Sequence, residues 1–215
     1  MQIGQVIRFW DEYVELKKIV ESGAYGKVVN GKVVNANFRR LSPLPTWGWQ
    51  NWLLDPARSG GAGQDLHIHD MDYVLSLFGE PLSYGTVKNV TGEQNSYVAT
   101  VMRYRDFAVS VEGTWGLPTT YPFTATFRVV FEKATVEYAG GKLTVYDEAG
   151  ARPVVIEKAR LEGGVSGGNI SDLGGYYTEL VYFTGRAGAG LPVEKATLSD
   201  GVASLAFVRR EIGNE

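Results

Sequence analysis

Both histidines of the chain lie in one stretch, Gly60 to Gly79, which reads GGAGQDLHIHDMDYVLSLFG. Asp65 stands four residues before His69, and Asp72 three after it. On a helix that spacing lines the three side chains along one edge. A carboxylate one turn before an imidazole can bond one ring nitrogen and leave the other for proton transfer. An ordinary imidazole, with a pKa near ~6.5, exchanges protons around neutrality, so the pair suits a general acid or base. The same spacing also serves a solvated pair, and Asp65 can be the helix N-cap after the glycines. By spacing alone the plain reading carries more weight than catalysis. His67 falls about 200° around the helix from His69, at ~100° per residue, so the two imidazoles do not pair there. On a strand they could share a metal with Asp65, Asp70 or Asp72. The segment reads as helix, however, which ranks a metal-hydrolase reading last and leaves no assigned metal ligand.

The elements that must hold these residues follow from pattern. Glycines lead in, Ile68, Met71, Leu75 and Phe78 form an apolar stripe, and Gly79 with Pro81 ends the helix. Ahead of it, Gln2–Trp10 reads as a strand. Asp11 can cap the helix that follows, where Tyr13, Leu16 and Val20 share a face before Gly23 and Gly26 stop it. Asn30-Gly31 between two Val-Val runs signals a hairpin, or an irregular lead-in to one long strand. Gly26, Gly31 and Lys32 nearly satisfy a phosphate loop, but Val33 stands where a hydroxyl is needed. Residues 42–59 read as loop. Within them Trp47, Trp49 and Trp52 either plug a core edge or line a ring-bearing, sugar-like ligand that Arg58 would hold.

Beyond Gly79 the chain turns to strands: Tyr84–Val90, Tyr97–Tyr104, Phe107–Trp115, Phe123–Phe131, Thr135–Tyr138, Lys142–Tyr146 and Val154–Glu157, separated by short turns. Short turns imply antiparallel neighbours. Leu161–Gly168 is glycine-rich but does not fit a dinucleotide fingerprint. Two helices close the chain. One runs from about Ser171, with Leu173, Tyr177, Leu180 and Val181 on one face. The other is capped by Thr197 and Asp200, with Leu198, Val202, Leu205, Ala206 and Ile212 as its stripe.

Composition sets the outer bounds. The absence of cysteine excludes disulfides and thiol chemistry, and a net charge of -3 argues against a nucleic-acid surface. No leader or long apolar run is present, which makes a cytoplasmic protein with no membrane partner the default. A chain that starts inside an expected strand also reads as cut.

Two segments carry a family resemblance: RFWDEYVELKKIVESGAYGKVV, from Arg8, and GGAGQDLHIHDMDYVLSLFGEP, from Gly60. Together they resemble the Gfo/Idh/MocA oxidoreductases, NAD(P)-dependent enzymes acting mostly on sugars, polyols and related metabolites. The resemblance implies an α+β domain with a large, predominantly antiparallel open sheet and helices on one face, like the C-terminal domain of glyceraldehyde-3-phosphate dehydrogenase. It makes His69 the residue that exchanges the substrate hydroxyl proton and Asp65 the one that orients it. Arg8, Trp10 and Asp72 would lie at the substrate cleft, beside Trp49, Trp52 and Arg58. The glycine fingerprint for pyrophosphate and the segment that supplies the catalytic lysine are missing. Residues 1–25 then read as the remnant of a last Rossmann strand and helix, and 26–215 as the substrate and oligomerisation domain. On this reading the chain holds no cofactor and is inactive alone, whereas full-length relatives use NAD or NADP and a sugar-like substrate. The alternative is a non-catalytic module that pairs, as a homo-oligomer, through its open sheet face.

Overall fold

Strand β1 (Ala36–Pro43) sits at the centre of the molecule, and its alternation shows which way the sheet faces. Ala36, Phe38 and Arg40 are buried while Asn37 and Arg39 point outward, as the twofold period of a strand requires. The computed structural model describes residues 1–29, 35–44, 49–91, 94–156 and 174–213. On one side, β2 (Ser83–Thr91), β3 (Gln94–Arg103) and β4 (Ala108–Leu117) form an antiparallel meander that brings β4 parallel to β1. On the other, β5 (Thr124–Val130) runs antiparallel to β1 and continues through β6 (Ala134–Ala139), β7 (Lys142–Asp147) and β8 (Gly150–Pro153). The sheet order is β2-β3-β4-β1-β5-β6-β7-β8. This is the α+β architecture expected, with one parallel pairing among the described strands.

The buried face carries Val98, Met102, Val109, Val111, Phe127, Val129, Val136 and Val145. Over it lie α1 (Asp11–Ser22) and α3 (Ile68–Phe78). Tyr13 of α1, fully buried, packs edge-on against Tyr73 of α3 and Phe127 of β5, with centroids 4.9 and 5.0 Å away. Such pairs add about 0.5–1.5 kcal/mol each beyond the area they bury. In α3, Met71 is buried and Ile68, Leu75 and Phe78 pack beside it, so the expected stripe faces the core. Gly23 and Gly79, both at positive φ, end the two helices.

Several local expectations are corrected. Residues 2–10 do not form a strand: Val6–Phe9 is a 3-10 turn, and Gln2 makes only an isolated bridge to Thr197. The segment is tied into helices rather than beside a strand, so no ladder is there to extend it. Residues 42–59 are not all loop: β1 reaches Pro43, Trp49–Leu54 is a 3-10 helix and Pro56–Ser59 is the short helix α2. The last strand ends at Pro153, before the expected Val154–Glu157, because the tight turn at Glu148-Ala149-Gly150 reverses the chain sooner. The Asn30-Gly31 hairpin and the Leu161–Gly168 loop lie outside the described residues.

The two final helices are α4 (Gly174–Gly188) and α5 (Leu198–Ile212). The capping box on α5 forms as expected: Thr197 Oγ1 accepts from the Asp200 amide and Asp200 Oδ2 accepts from the Thr197 amide. Of the expected stripes only Ile212 of α5 is buried, and Leu173 lies outside the described residues. Leu180, Val181, Val202 and Leu205 are exposed, while α5 buries Ser204, Phe207, Val208, Glu211 and Ile212. Each helix has apolar residues on more than one stripe, and packing against α3 and β2 selects the one that holds Phe207.

Candidate active site

The glycine run makes the site's entry. Gly60 and Gly61 both lie at positive φ, and a Cβ on Gly60 would come 2.5 Å from Gln64 Cδ. The helix has therefore begun before Asp65, which is not the N-cap that the sequence allows. Gly63–His67 form a π turn, in which the Ile68 amide donates back to the Gly63 carbonyl, before the α-helix resumes as α3. Such turns are rare and recur where a helix must re-aim side chains. Here the turn presses Gly63 against Ile212 of α5 and His67 against Gly113 of β4. A side chain at Gly113 would meet His67 Cβ at 3.0 Å, so that glycine makes room for the imidazole.

The two imidazoles part company. His67 is wholly buried, its Nε2 3.0 Å from Glu211 Oε1 on α5, while Glu211 Oε2 accepts from Thr100 of β3. His69 turns the other way, toward the 3-10 turn, where its Nδ1 lies 3.0 Å from Gln5 Oε1. With their partners on different elements the rings cannot share a metal, and among the described residues no cluster of three His, Asp or Glu is placed to hold one. Burial, and then the Arg40 guanidinium, pull the His69 pKa down to about 4, against an opposing pull from Asp70. The ring is therefore neutral near pH 7. Among the described residues no hydrogen bond engages its Nε2.

Asp65 is partly buried, and no hydrogen bond among the described residues joins it to His69 or to another group. Burial alone raises its carboxyl pKa. The group therefore keeps its proton to higher pH than an exposed carboxylate would. Its field reaches the Tyr176 hydroxyl on α4, which burial, Glu179 and Asp65 together hold above the ordinary tyrosine value.

Beneath His69 lies a frame of paired charges. Arg40, buried on β1, holds Asp70 of α3 through Nε at 2.7 Å and Nη2 at 3.2 Å, and stacks over the Trp10 ring at 5.3 Å. The register places Gly113 and Ala125 beside Arg40, so small neighbours leave space for the guanidinium. Arg8 grips Asp72 with Nε at 2.6 Å and Nη2 at 2.9 Å, and Ser204 of α5 donates to the same carboxylate. Burial raises the Asp72 pKa and these bonds oppose the rise. Arg8 also approaches Asp200 at 3.2 Å. Arg8 and Asp72 thus spend their polar atoms on each other, and Trp10 lies beside Arg40.

The remaining expected residues are more scattered. Trp52 is partly buried against Leu53, Ala62 and Trp115 in a small second cluster, and Arg58 is exposed on α2. Trp49 starts the 3-10 helix, but its side chain lies outside the described set. Sequence reasoning missed Gln5 and Arg40, and weighed Asp70 only as a metal ligand rather than as the partner of Arg40. A signal existed for Arg40, which shares the inward parity of Ala36 and Phe38 in an alternating strand. Gln5 carries no such signal.

The GFO/IDH/MocA C-terminal domain family matches residues 13–137, more than half of the chain. No curated protein matches the sequence. Among solved structures, an oxidoreductase from Agrobacterium radiobacter in complex with NAD+, L-tartaric acid and magnesium superposes with a TM-score of 0.78 at 15% identity, over 99% of this chain and 63% of that one. Levoglucosan dehydrogenase, in complex with NADH and levoglucosan, gives 0.73 at 18% identity over 97% and 62%. The UDP-N-acetylglucosamine 3-dehydrogenase of Acidithiobacillus ferrooxidans gives 0.69 at 16% identity over 97% and 59%. The chain thus spans about three fifths of the length of these structures, whose likeness at such identities is one of fold. By the match over residues 13–137, the chain belongs to the Gfo/Idh/MocA oxidoreductase family and carries its C-terminal domain.

Proposed function

We propose that this chain is the substrate-binding and oligomerisation portion of an NAD(P)-dependent oxidoreductase acting on a sugar, polyol or related metabolite. The observation that carries the reading is the neutral, partly exposed His69, with its Nδ1 engaged by Gln5 and a half-buried, proton-retaining carboxyl, Asp65, on the turn that precedes it. As a substrate C–H and O–H are converted to C=O, the His69 Nε2 lone pair takes the hydroxyl proton, and it returns that proton in the reverse direction. Asp65, with its raised pKa, hydrogen-bonds a neighbouring hydroxyl. The Arg8–Asp72 pair anchors the 3-10 turn to α3, and Trp10 braces Arg40 behind the imidazole. Trp49, Trp52 and Arg58 are the proposed outer substrate contacts.

A nicotinamide, when bound, supplies the hydride acceptor. No stretch of residues 1–215 carries the glycine fingerprint that cradles its pyrophosphate, so in this reading a separate nucleotide-binding domain holds it. Residues 26–215 form the substrate domain, and residues 1–25, whose Val6, Ile7, Tyr13 and Leu16 share its core, are the connection to such a nucleotide-binding domain. The chain alone is expected to be inactive.

Two titrations of the purified chain test this. NAD+ and NADP+ should give no binding heat, while a panel of polyols and sugars should shift the His69 ring resonances, an effect lost in His69→Ala. Tight dinucleotide binding, or no response to any polyol, overturns the proposal. A second reading, a non-catalytic assembly module, is favoured by the outer sheet face, where Val87 and Val101 are exposed beside the Arg39–Glu112 ion pair.

A further inference from the structure

We infer that Gln5 is the positioning residue of the site: its carboxamide selects the tautomer of His69 and aims the unprotonated Nε2 away from the protein frame. The inference rests on the role given to His69 above.

Gln5 Oε1 lies 3.0 Å from His69 Nδ1, and Gln5 is 4% exposed. A carbonyl oxygen only accepts, so with the carboxamide turned this way the contact takes a proton on Nδ1. The ring is neutral, so one nitrogen carries a hydrogen and the other does not; with Nδ1–H donated to Gln5, the lone pair is on Nε2. The backbone that carries this carboxamide is held in place. The Gln5 amide donates to the Ile3 carbonyl, the Arg8 amide donates to the Gln5 carbonyl, and Arg8 is clamped to Asp72 on α3. Gln5 and His69 are thus joined twice, once through the imidazole and once through the Arg8–Asp72 pair one turn further along each element.

The chemical choice matters as much as the distance. A carboxylate at this position would also orient the ring, but it would favour imidazolium and raise the pKa. The charges acting on the ring are Arg40 from β1 and Asp70 from α3, which are bonded to each other. Nearby, Arg8 of the 3-10 turn and Asp72 of α3 form a second bonded pair, with Asp200 of α5 beside Arg8. Asp65 of the π turn, Tyr176 and Glu179 of α4, Tyr13 of α1, and Lys195, which feels Arg8, are further titratable groups around the site. Since the carboxamide adds no charge to this set, His69 remains an unprotonated base of fixed orientation at neutral pH. Gln5 therefore takes the orienting role that the Asp-x-x-x-His spacing suggests for Asp65, and leaves that carboxyl available to a substrate.

Long-range ¹H–¹⁵N NMR of the full chain tests the assignment, with His69→Gln used to tell the two imidazoles apart. The wild type should show His69 as the Nδ1–H tautomer across pH 5–8. Gln5→Glu should raise its titration midpoint by about 1–3 pH units. Gln5→Leu should convert much of the ring to the Nε2–H form while the dispersed methyl spectrum of the folded chain persists. A wild-type Nε2–H ring, or Gln5→Glu and Gln5→Leu spectra in which midpoint and tautomer stay unchanged, overturns the inference. None of these readings uses a substrate, so they stand apart from the polyol titration that tests the function.

Discussion

At the scale of single residues, the site depends on groups kept out of their usual protonation behaviour. His69 has its pKa pulled from the ordinary value down to about 4 by burial and Arg40. Between that value and ~6.5 the unfolded chain binds a proton that the folded chain does not, so stability climbs with pH across this window. The contribution is fully present above ~6.5 and is lost as pH falls toward the folded value. Asp65 acts with the opposite sign: its raised pKa favours the fold at low pH and costs stability as the carboxyl ionises. Urea titrations of wild type and His69→Gln between pH 4 and 7 should therefore diverge, with the variant showing the shallower rise. The Arg40–Asp70 pair gives a larger effect. Both groups are buried, so Asp70→Asn leaves a guanidinium without its anion and should cost about 3–5 kcal/mol by denaturant midpoint.

At the scale of elements, the helix that carries the site is placed by its glycines and by α5. Gly63 meets Ile212, Gly113 admits His67, and Glu211 accepts from Thr100 and lies 3.0 Å from His67 Nε2. The stripe that α5 turns inward is consequently Phe207 and Ile212, with Val202 left 60% exposed. Truncation tests which face packs. Phe207→Ala should cost about 3–5 kcal/mol, and Val202→Ser should stay within about 0.5 kcal/mol, both read as shifts in chemical denaturation. Equal costs would mean that α5 is rotated from the arrangement described.

At the scale of the whole molecule, the described helices cover one face of the eight-stranded sheet, where α1 and α3 close over Phe38 and Phe127. The outer face carries Val87 and Val101 together with Asn37–Ser110 and Arg39–Glu112 pairs. A wide, mixed face of this kind is suited to self-association, and light scattering should find a dimer or larger species at tens of micromolar. A strictly monomeric chain at high concentration would count against assembly through the sheet. No described helix is long and apolar enough to cross a membrane.

Local pattern carried much of the architecture. Runs of β-branched and aromatic residues marked six of the strands, β2 to β7, to within a few residues, because such side chains suit a pleated, half-buried surface. The Ile68–Phe78 stripe and the Thr197–Asp200 cap were legible as well: each is complete within one or two turns of chain. The segment before Trp10 was not legible, since an apolar run of that length serves a strand or a 3-10 turn equally until its neighbours are known. Nor were the inward faces of α4 and α5, where apolar residues occupy competing stripes. The site divides along the same line. Asp65 and His69 are four residues apart and could be read together, whereas Gln5 and His69 are joined across 64 residues and Arg40 and Asp70 across 30. Those pairings exist only because the sheet and helices converge. Residue type and spacing supplied the imidazole and the carboxyl; tertiary packing decided which nitrogen is bonded, which charges are neutralised and which group is left to act.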